Sequence, residues 1–256
     1  QAALREALSS WNDEVQVDQF IHRQYDHYWL KTDTRRQVDH ATLLKNTDAQ
    51  GEKLGVSFSS DAFMGMSELS IVAPNHPRLL ALFAGACSVG GAEIIGAQVS
   101  TTRDGLALDT FLLKRAFDRE EDETRRLRRI SAIIEKVLKG EAWLDDLMAS
   151  KHPVETRLSA FRMDPEVTID NELSDTFTVI EVSALDRRRL LYDLTSAISD
   201  LNLDITSAHI TTYGEKAVDV LYVTDLTGKK LADPTRQKIV RARLEAVLSS
   251  AELEPV

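Results

Sequence analysis

Residues 179–209 read VIEVSALDRRRLLYDLTSAISDLNLDITSAH. The run Val179 to Leu185 is rich in β-branched residues and alternates apolar with polar positions, the period of a half-buried strand. Four polar residues follow, Asp186 to Arg189. Then Leu190, Leu191, Leu194, Ala197, Ile198 and Leu201 recur at spacings of three and four, which places one apolar stripe along a helix. LDITSAHITTY returns to strand, Gly214-Glu215 makes a hairpin turn, and KAVDVLYV supplies a third strand carrying Asp219. The segment predicts strand, helix, strand, strand.

The same pattern stands earlier in the chain. ELSIVAPNHPRLLALFAGACSVGGAEIIGAQ at 68–98 aligns with it without a gap, pairing Leu69 with Ile180, Leu79 with Leu190, Ile94 with Ile205 and Ala97 with Ala208. Past the turn Asp104-Gly105 the second copy is one residue shorter, and Asp109 pairs with Asp219. A length change in a turn costs little. Two copies rather than many predict a pair of homologous domains and not a solenoid.

Each copy continues into a second helix. REEDETRRLRRISAIIEKVLKG turns Leu127, Ile130, Ile133, Ile134, Val137 and Leu138 inward, with a capping box expected at Asp118 and Glu121 and a stop at Gly140. PTRQKIVRARLEAVLSS is its counterpart. Asn75 and Asp186 are expected to cap the first helices, with Pro77 in the first turn. A fourth strand is expected from PEVTID at 165–170 for the first copy and from ELEPV at the end for the second. The fold class is α+β: two tandem ferredoxin-like βαββαβ units behind a mainly helical region. The expected divisions are 1–62 helical, 63–170 the first unit with its return strand, and 171–256 the second. The chain opens at Gln1 inside a helical pattern, QAALREALSSW, and is expected to be part of something longer.

Composition narrows the function classes. The chain has 256 residues, 43% hydrophobic against 28% charged, and a net charge of -10. That balance is globular, and the acidity argues against a nucleic-acid partner, whose phosphates need clustered Lys and Arg. RRLRR at 125–129 follows DREEDE and reads as a solvated helix face. The strands also lack the exposed aromatic cluster that stacks RNA bases. A single cysteine, Cys87, allows no disulfide framework and fits a reducing compartment; it is expected in the core. No apolar run reaches membrane-spanning length, so no membrane partner is expected, and a cytoplasmic location is. There is no glycine-rich phosphate loop, no nucleophile with a paired base and no dense His/Asp cluster. His40 in VDHA, with His22 and His27 nearby, is expected to be packing and not a metal ligand.

The loops carry a resemblance. APNHPRLLALFAGA and ALDRRRLLYDLTSAI, followed by EIIGAQ and DITSAH, resemble ACT domains, small amino-acid-binding regulatory modules. Over roughly residues 25 to 250, including YDHYWL, VDHATLL, TTRDGLALDTFLL and SAHITTYGEKAVDVLYVTDLTGKKL, the chain is similar to the C-terminal region of the bifunctional PII uridylyltransferase/uridylyl-removing enzymes. The resemblance implies a glutamine-sensing region, with L-glutamine as effector and PII as a partner of the whole enzyme. It implies ACT–ACT packing within or between chains, and catalytic domains, needing a divalent metal, that precede this region. No cofactor is expected in this chain. The rival from another class is an ACT pair that only dimerises or docks the chain.

In ACT pairs a ligand sits between the loop of one unit and the second-strand start of its neighbour. That implies Asn75, His76, Pro77, Arg78 and Leu79 in the first loop, Asp186, Arg187, Arg188, Arg189 and Leu190 in the second, and Glu93, Ile94, Asp204 and Ile205 at the strand starts. The chemistry suits a zwitterion. A helix N-terminus attracts a carboxylate and an acidic strand start attracts an ammonium group. Taken singly, Asn75 and Asp186 read equally well as helix caps, and Glu93 and Asp204 as solvated strand ends. Many ACT loops have Gly where Arg78 and Arg189 stand. Either arginine fills the ligand's space or grips its carboxylate, and the first loop, which keeps Pro77, is expected to be the binding one. Asp109 and Asp219 read either as paired across the sheet or as turned to its open face.

Overall fold

A computed structural model describes residues 1–11, 13–149, 163–187 and 189–249. Four helices lead: α1 (Ala2–Ala7), α2 (Glu14–Arg23), α3 (Asp26–Lys31) and α4 (Thr34–Gln50). The first unit follows as β1 (Gly55–Asp61), β2 (Met66–Pro74), α5 (Leu79–Val89), β3 (Ile94–Thr101), β4 (Leu106–Lys114) and α6 (Glu120–Leu138), then the short α7 (Leu144–Ala149). The second is β5 (Glu166–Asp170), β6 (Thr178–Leu185), α8 (Leu190–Asp200), β7 (Leu203–Tyr213), β8 (Lys216–Asp225) and α9 (Pro234–Ser249).

All strands join one antiparallel eight-stranded sheet, ordered β1-β2-β4-β3-β7-β8-β6-β5. The seam is β3 against β7, with Gly96 opposite Thr211 and Val99 opposite Ala208. A Cβ on Gly96 would lie 3.3 Å from the Ile210 carbonyl oxygen, so the seam favours the missing side chain there. The repeat extends to irregularities. Both second strands carry a register shift at the aligned place, between Ile94 and Gly96 and between Ile205 and Ser207.

The edge strands differ from expectation. The strand at 165–170 exists, but it pairs with β6 and so flanks the second unit. The outer strand of the first unit is Gly55–Asp61, paired with β2, in a stretch expected to be helical. Each unit thus draws its edge strand from the chain ahead of it. This is the shorter connection: Gly65 turns β1 straight into β2, whereas 165–170 lies beyond both α6 and α7. ELEPV lies outside the described residues.

Alternation along the strands sorts the side chains into two cores. Leu69, Ile71, Ala73, Val99, Phe111 and Leu113 face α5 and α6, and Ile180, Val182, Ala208, Leu221 and Val223 face α8 and α9, forming one continuous layer. On the other face of the first unit, Val72 and Leu108 meet Leu4, Phe20, Ile21, Tyr28, Leu43 and Leu44 from the leading helices. His40 ties that second core to the sheet. Its ring bridges the Tyr28 hydroxyl and Thr110 Oγ1, each at 2.8 Å, and burial pushes its pKa down to about 4. Packing of a neutral, hydrogen-bonded histidine is what its position does. Cys87 is fully buried on α5, and burial pushes its thiol up to about 12.

The expected helix caps are corrected. Helix α5 begins at Leu79 and α8 at Leu190, with Arg78 and Arg189 at the N-cap positions and no side-chain cap bond. Asn75 and Asp186 sit earlier, where their backbone N–H groups donate to Gly105 and Glu215 carbonyls across the hairpin tips. Helix α6 likewise lacks the Asp118–Glu121 box. Glu123 instead ties down the chain ahead of the helix: its buried carboxylate accepts from the Ala116 and Phe117 N–H groups and from Ser67 Oγ, and pairs with Arg126. Arg126 is therefore the one residue of RRLRR drawn inside with Leu127, while Arg125, Arg128 and Arg129 stay exposed.

Candidate functional site: a cavity between the two units

Because β3 and β7 pair antiparallel, the loop before α8 faces the end of α5 and the start of β3, and the loop before α5 faces the end of α8 and the start of β7. These two places are related by the repeat but are not alike. Against the second loop lies a cavity of about 230 Å³. Ala84, Ser88, Glu93 and Ile94 come to it from the first unit, and Asp186, Arg187, Arg189, Leu190, Tyr192 and Asp219 from the second. It is smaller than the ~300–1,000 Å³ of drug-sized sites, which suits a ligand of amino-acid size.

The first loop is bonded to its neighbour. Arg78 Nη1 lies 3.3 Å from Asp200 Oδ1, and Ser199 Oγ donates to the Pro77 carbonyl at 2.7 Å. His76 faces Asp204: burial lowers the histidine pKa, Arg78 adds to that, and Asp204 opposes it. Burial raises the Asp204 carboxyl in turn. Asn75, Pro77, Leu79 and Ile205 belong to this side and do not line the cavity.

The two arginines also differ in backbone. Arg78 has an ordinary φ of -95°, whereas Arg189 sits in the left-handed region at φ 67°. L-residues with a Cβ adopt that conformation at a cost, and glycine does not. The place where many ACT loops carry Gly is thus, in the second unit, a place whose geometry favours Gly. The Arg189 side chain bends back over its own helix, 3.6 Å from Asp193 and over the Tyr192 ring at 5.6 Å. Arg187 also binds Asp193, at 2.5 Å. Arg188 lies outside the described residues.

The cavity wall is acidic. Burial, reinforced by the nearby Glu93 charge, pushes Asp186 up to about 6. Burial, reinforced by Asp186, pushes Asp219 up to about 7. Glu93 is ion-paired with Lys114 at 3.2 Å. Of the residues implied by the resemblance, the structure brings Glu93, Ile94, Asp186, Arg187, Arg189 and Leu190 together. Tyr192 and Asp219 were not among them. The lone acid in the apolar run KAVDVLYV was the available signal for Asp219: it is neither ion-paired across the sheet nor on its open face, but under the helices and 1% exposed.

No group of three or more His, Cys, Asp or Glu placed to hold a metal occurs among the described residues, and no helix among them is long and apolar enough to cross a membrane.

Comparison with known proteins agrees with this architecture. The model of the ACR9-like, ACT-like domain matches residues 166–252, which begins at the edge strand β5 and not after it. The bifunctional uridylyltransferase/uridylyl-removing enzyme of Bradyrhizobium diazoefficiens is 46% identical over 248 residues, 97% of this chain and 26% of the relative. That of Nitrobacter hamburgensis is 46% identical over 250 residues, 98% of this chain and 27% of the relative. Aspartate kinase from Synechocystis aligns in structure over 70% of this chain and 26% of its own, at 15% identity and a TM-score of 0.38, a likeness too loose to carry weight. The chain spans about a quarter of the length of the curated relatives it matches. Along nearly its whole length, this chain belongs with the C-terminal ACT region of the bifunctional uridylyltransferase/uridylyl-removing enzymes.

Proposed function

We propose that this region is an amino-acid sensor, with glutamine as its effector, that biases a longer cytoplasmic enzyme between uridylylating the PII signal protein and removing the uridylyl group. The observation that carries the reading is the cavity in which the loop ahead of α8 and the acidic start of β3 face one another across the two units. A ligand there touches both units. Its carboxylate is placed toward the start of α8, where helix geometry leaves backbone N–H groups unbonded and the dipole is positive. Its ammonium group faces Glu93, Asp186 and Asp219. Occupancy would then change how the units pack, which is the differential contact a sensor needs. The catalytic steps, and any divalent metal they use, fall to parts of the longer enzyme outside this chain.

Calorimetric titration of the 256-residue chain with glutamine, against glutamate and asparagine, tests this. Saturable heat with glutamine at concentrations where the controls give little supports sensing. Absence of heat with every amino acid removes the reading and leaves the pair as a dimerising or docking module.

A further inference from the structure

Asp219 lies on the helix side of β8 at 1% exposure, and its Oδ1 has no hydrogen-bond partner although it lines the cavity. A backbone hydrogen bond from Thr211 opposes the rise, but no neighbouring side chain neutralises the carboxyl. Register partners Val182 and Ile210 are apolar. The nearby bases are directed at other acids: Arg187 and Arg189 at Asp193, and Lys114 at Glu93. Asp186 and Glu93, which share the wall, add negative charge. Tyr192 is turned away, its hydroxyl donating to Asp145 at 3.0 Å. Among the described residues no ion pair reaches Asp219. A buried carboxyl in that setting holds its proton to higher pH than an exposed one, because burying its charge alone is costly.

The repeat supplies an internal comparison. Asp109 occupies the aligned position in β4, is equally buried and has an orphaned Oδ1 of its own, but it does not line the cavity. The first loop above it is bridged to the second unit by the Arg78–Asp200 and Ser199–Pro77 contacts. One fold position therefore holds two acids, only one of which a small molecule in this cavity can reach.

We propose that Asp219 receives the ammonium group of the bound amino acid, and so makes a positive charge on the ligand a requirement of this site. The inference rests on the amino-acid-sensing reading and adds the residue that enforces its ligand class. Charge balance fixes the proton: as the ammonium group arrives, the Asp219 carboxyl ionises, its proton passes to solvent, and the ammonium–carboxylate pair replaces it. Binding therefore releases protons at pH 6.5 and releases few at pH 8.5, where the carboxyl is already ionised, and glutamine affinity rises over that interval.

The test sets two ligands against two proteins. Glutamine and its desamino analogue, 4-carbamoylbutanoate, are titrated into the wild-type chain and into Asp219→Asn, with Asp109→Asn as control. Wild type and Asp109→Asn are expected to favour glutamine by tenfold or more. Asp219→Asn is expected to lose that preference, binding glutamine as weakly as the analogue while the analogue's own affinity is unchanged. A folded Asp219→Asn that keeps full glutamine affinity overturns the assignment and leaves the sensing reading standing; a wild type that binds neither amino acid nor analogue removes both. Should Asp219→Asn fail to fold, titration of wild type and Asp186→Asn at pH 6.5 in two buffers of unequal ionisation heat decides: proton release in both is expected, and its absence from wild type, or its loss in an Asp186→Asn that still binds glutamine, overturns the proposal.

Discussion

The guanidinium of Arg78 in the first unit reaches the carboxylate of Asp200 at the end of α8 in the second, 3.3 Å away and 122 residues along the chain. Both side chains are more than half exposed, at 58% and 55%. Water and salt screen such a pair, so it positions the first loop without adding much stability. Asp200→Ala is expected to cost less than ~1 kcal/mol in urea unfolding. Since neither residue lines the cavity, glutamine affinity should stay within about twofold, well under the tenfold that a lost 1.4 kcal/mol contact would produce. A large loss of affinity would bring the first loop into the binding site.

Arg189 offers a test with the opposite sign. Its left-handed φ of 67° imposes a cost that glycine escapes, while the contacts it would forgo, to a half-buried Asp193 at 3.6 Å and a ring at 5.6 Å, are weak. Glycine also has more freedom to lose on folding, which takes back part of the gain. Arg189→Gly is expected to stabilise the chain by about 0.5–1 kcal/mol. Arg78→Gly, at φ -95°, should instead destabilise slightly. Thermal melts of the two variants moving in the same direction would contradict the backbone argument.

Much of this architecture was legible because the repeat was. The period-two and period-three-to-four patterns around Leu69/Ile180 and Leu79/Leu190 fix strand and helix, and the ungapped alignment fixes that the units correspond. Edge strands were harder. Val56 and Phe58 alternate with serines in a short stretch between helix and turn, and 166–170 is as short, so pairing was set by the connection and not by the residues. The caps are hidden in the sequence for a related reason. Asn75 and Asp186 are ordinary N-cap types, but hairpin tips claim their backbones and delay the helices by three residues. The site was half visible: Glu93, Asp186 and Leu190 follow from the loop pattern, whereas the inequality of the two loops depends on the φ of Arg189 and on Ser199 and Asp200 reaching across the seam.

Glu123 should be among the least replaceable charged residues of α6. Burial alone would raise its carboxyl, but hydrogen bonds from Ser67, Arg126 and the Ala116 N–H, with the Arg126 charge, hold it below the usual range. Removing it strands Arg126, which is 7% exposed, so Glu123→Ala is expected to cost about 3–5 kcal/mol. A depressed carboxyl contributes stability that is present above its unfolded pKa and lost as pH falls through the folded value. Urea midpoints for wild type should therefore drop below about pH 4, the ordinary range for Glu, more steeply than those of Glu123→Gln. Equal slopes would mean the carboxylate is not held by these donors.

Asp109 predicts the reverse dependence on pH. Burial pushes it up to about 8 against one opposing backbone hydrogen bond at Ser100, and its Oδ1 has no partner. In the unfolded chain the same carboxyl titrates near ~3.9, so between about pH 4 and pH 8 the folded state holds a proton that the unfolded state has released. Stability must then fall as pH rises across that interval, by up to about 1.4 kcal/mol per unit for a single such group. Asp109→Asn removes the titration while keeping the shape. It is expected to be more stable than wild type at pH 8, with the difference shrinking by at least ~1 kcal/mol at pH 5. Urea unfolding of both proteins at the two pH values measures this. A difference that stays constant would show that Asp109 is already ionised in the folded chain, and that a partner for its charge exists where the packing around β4 provides only Ile71 and Val99 as cross-strand neighbours.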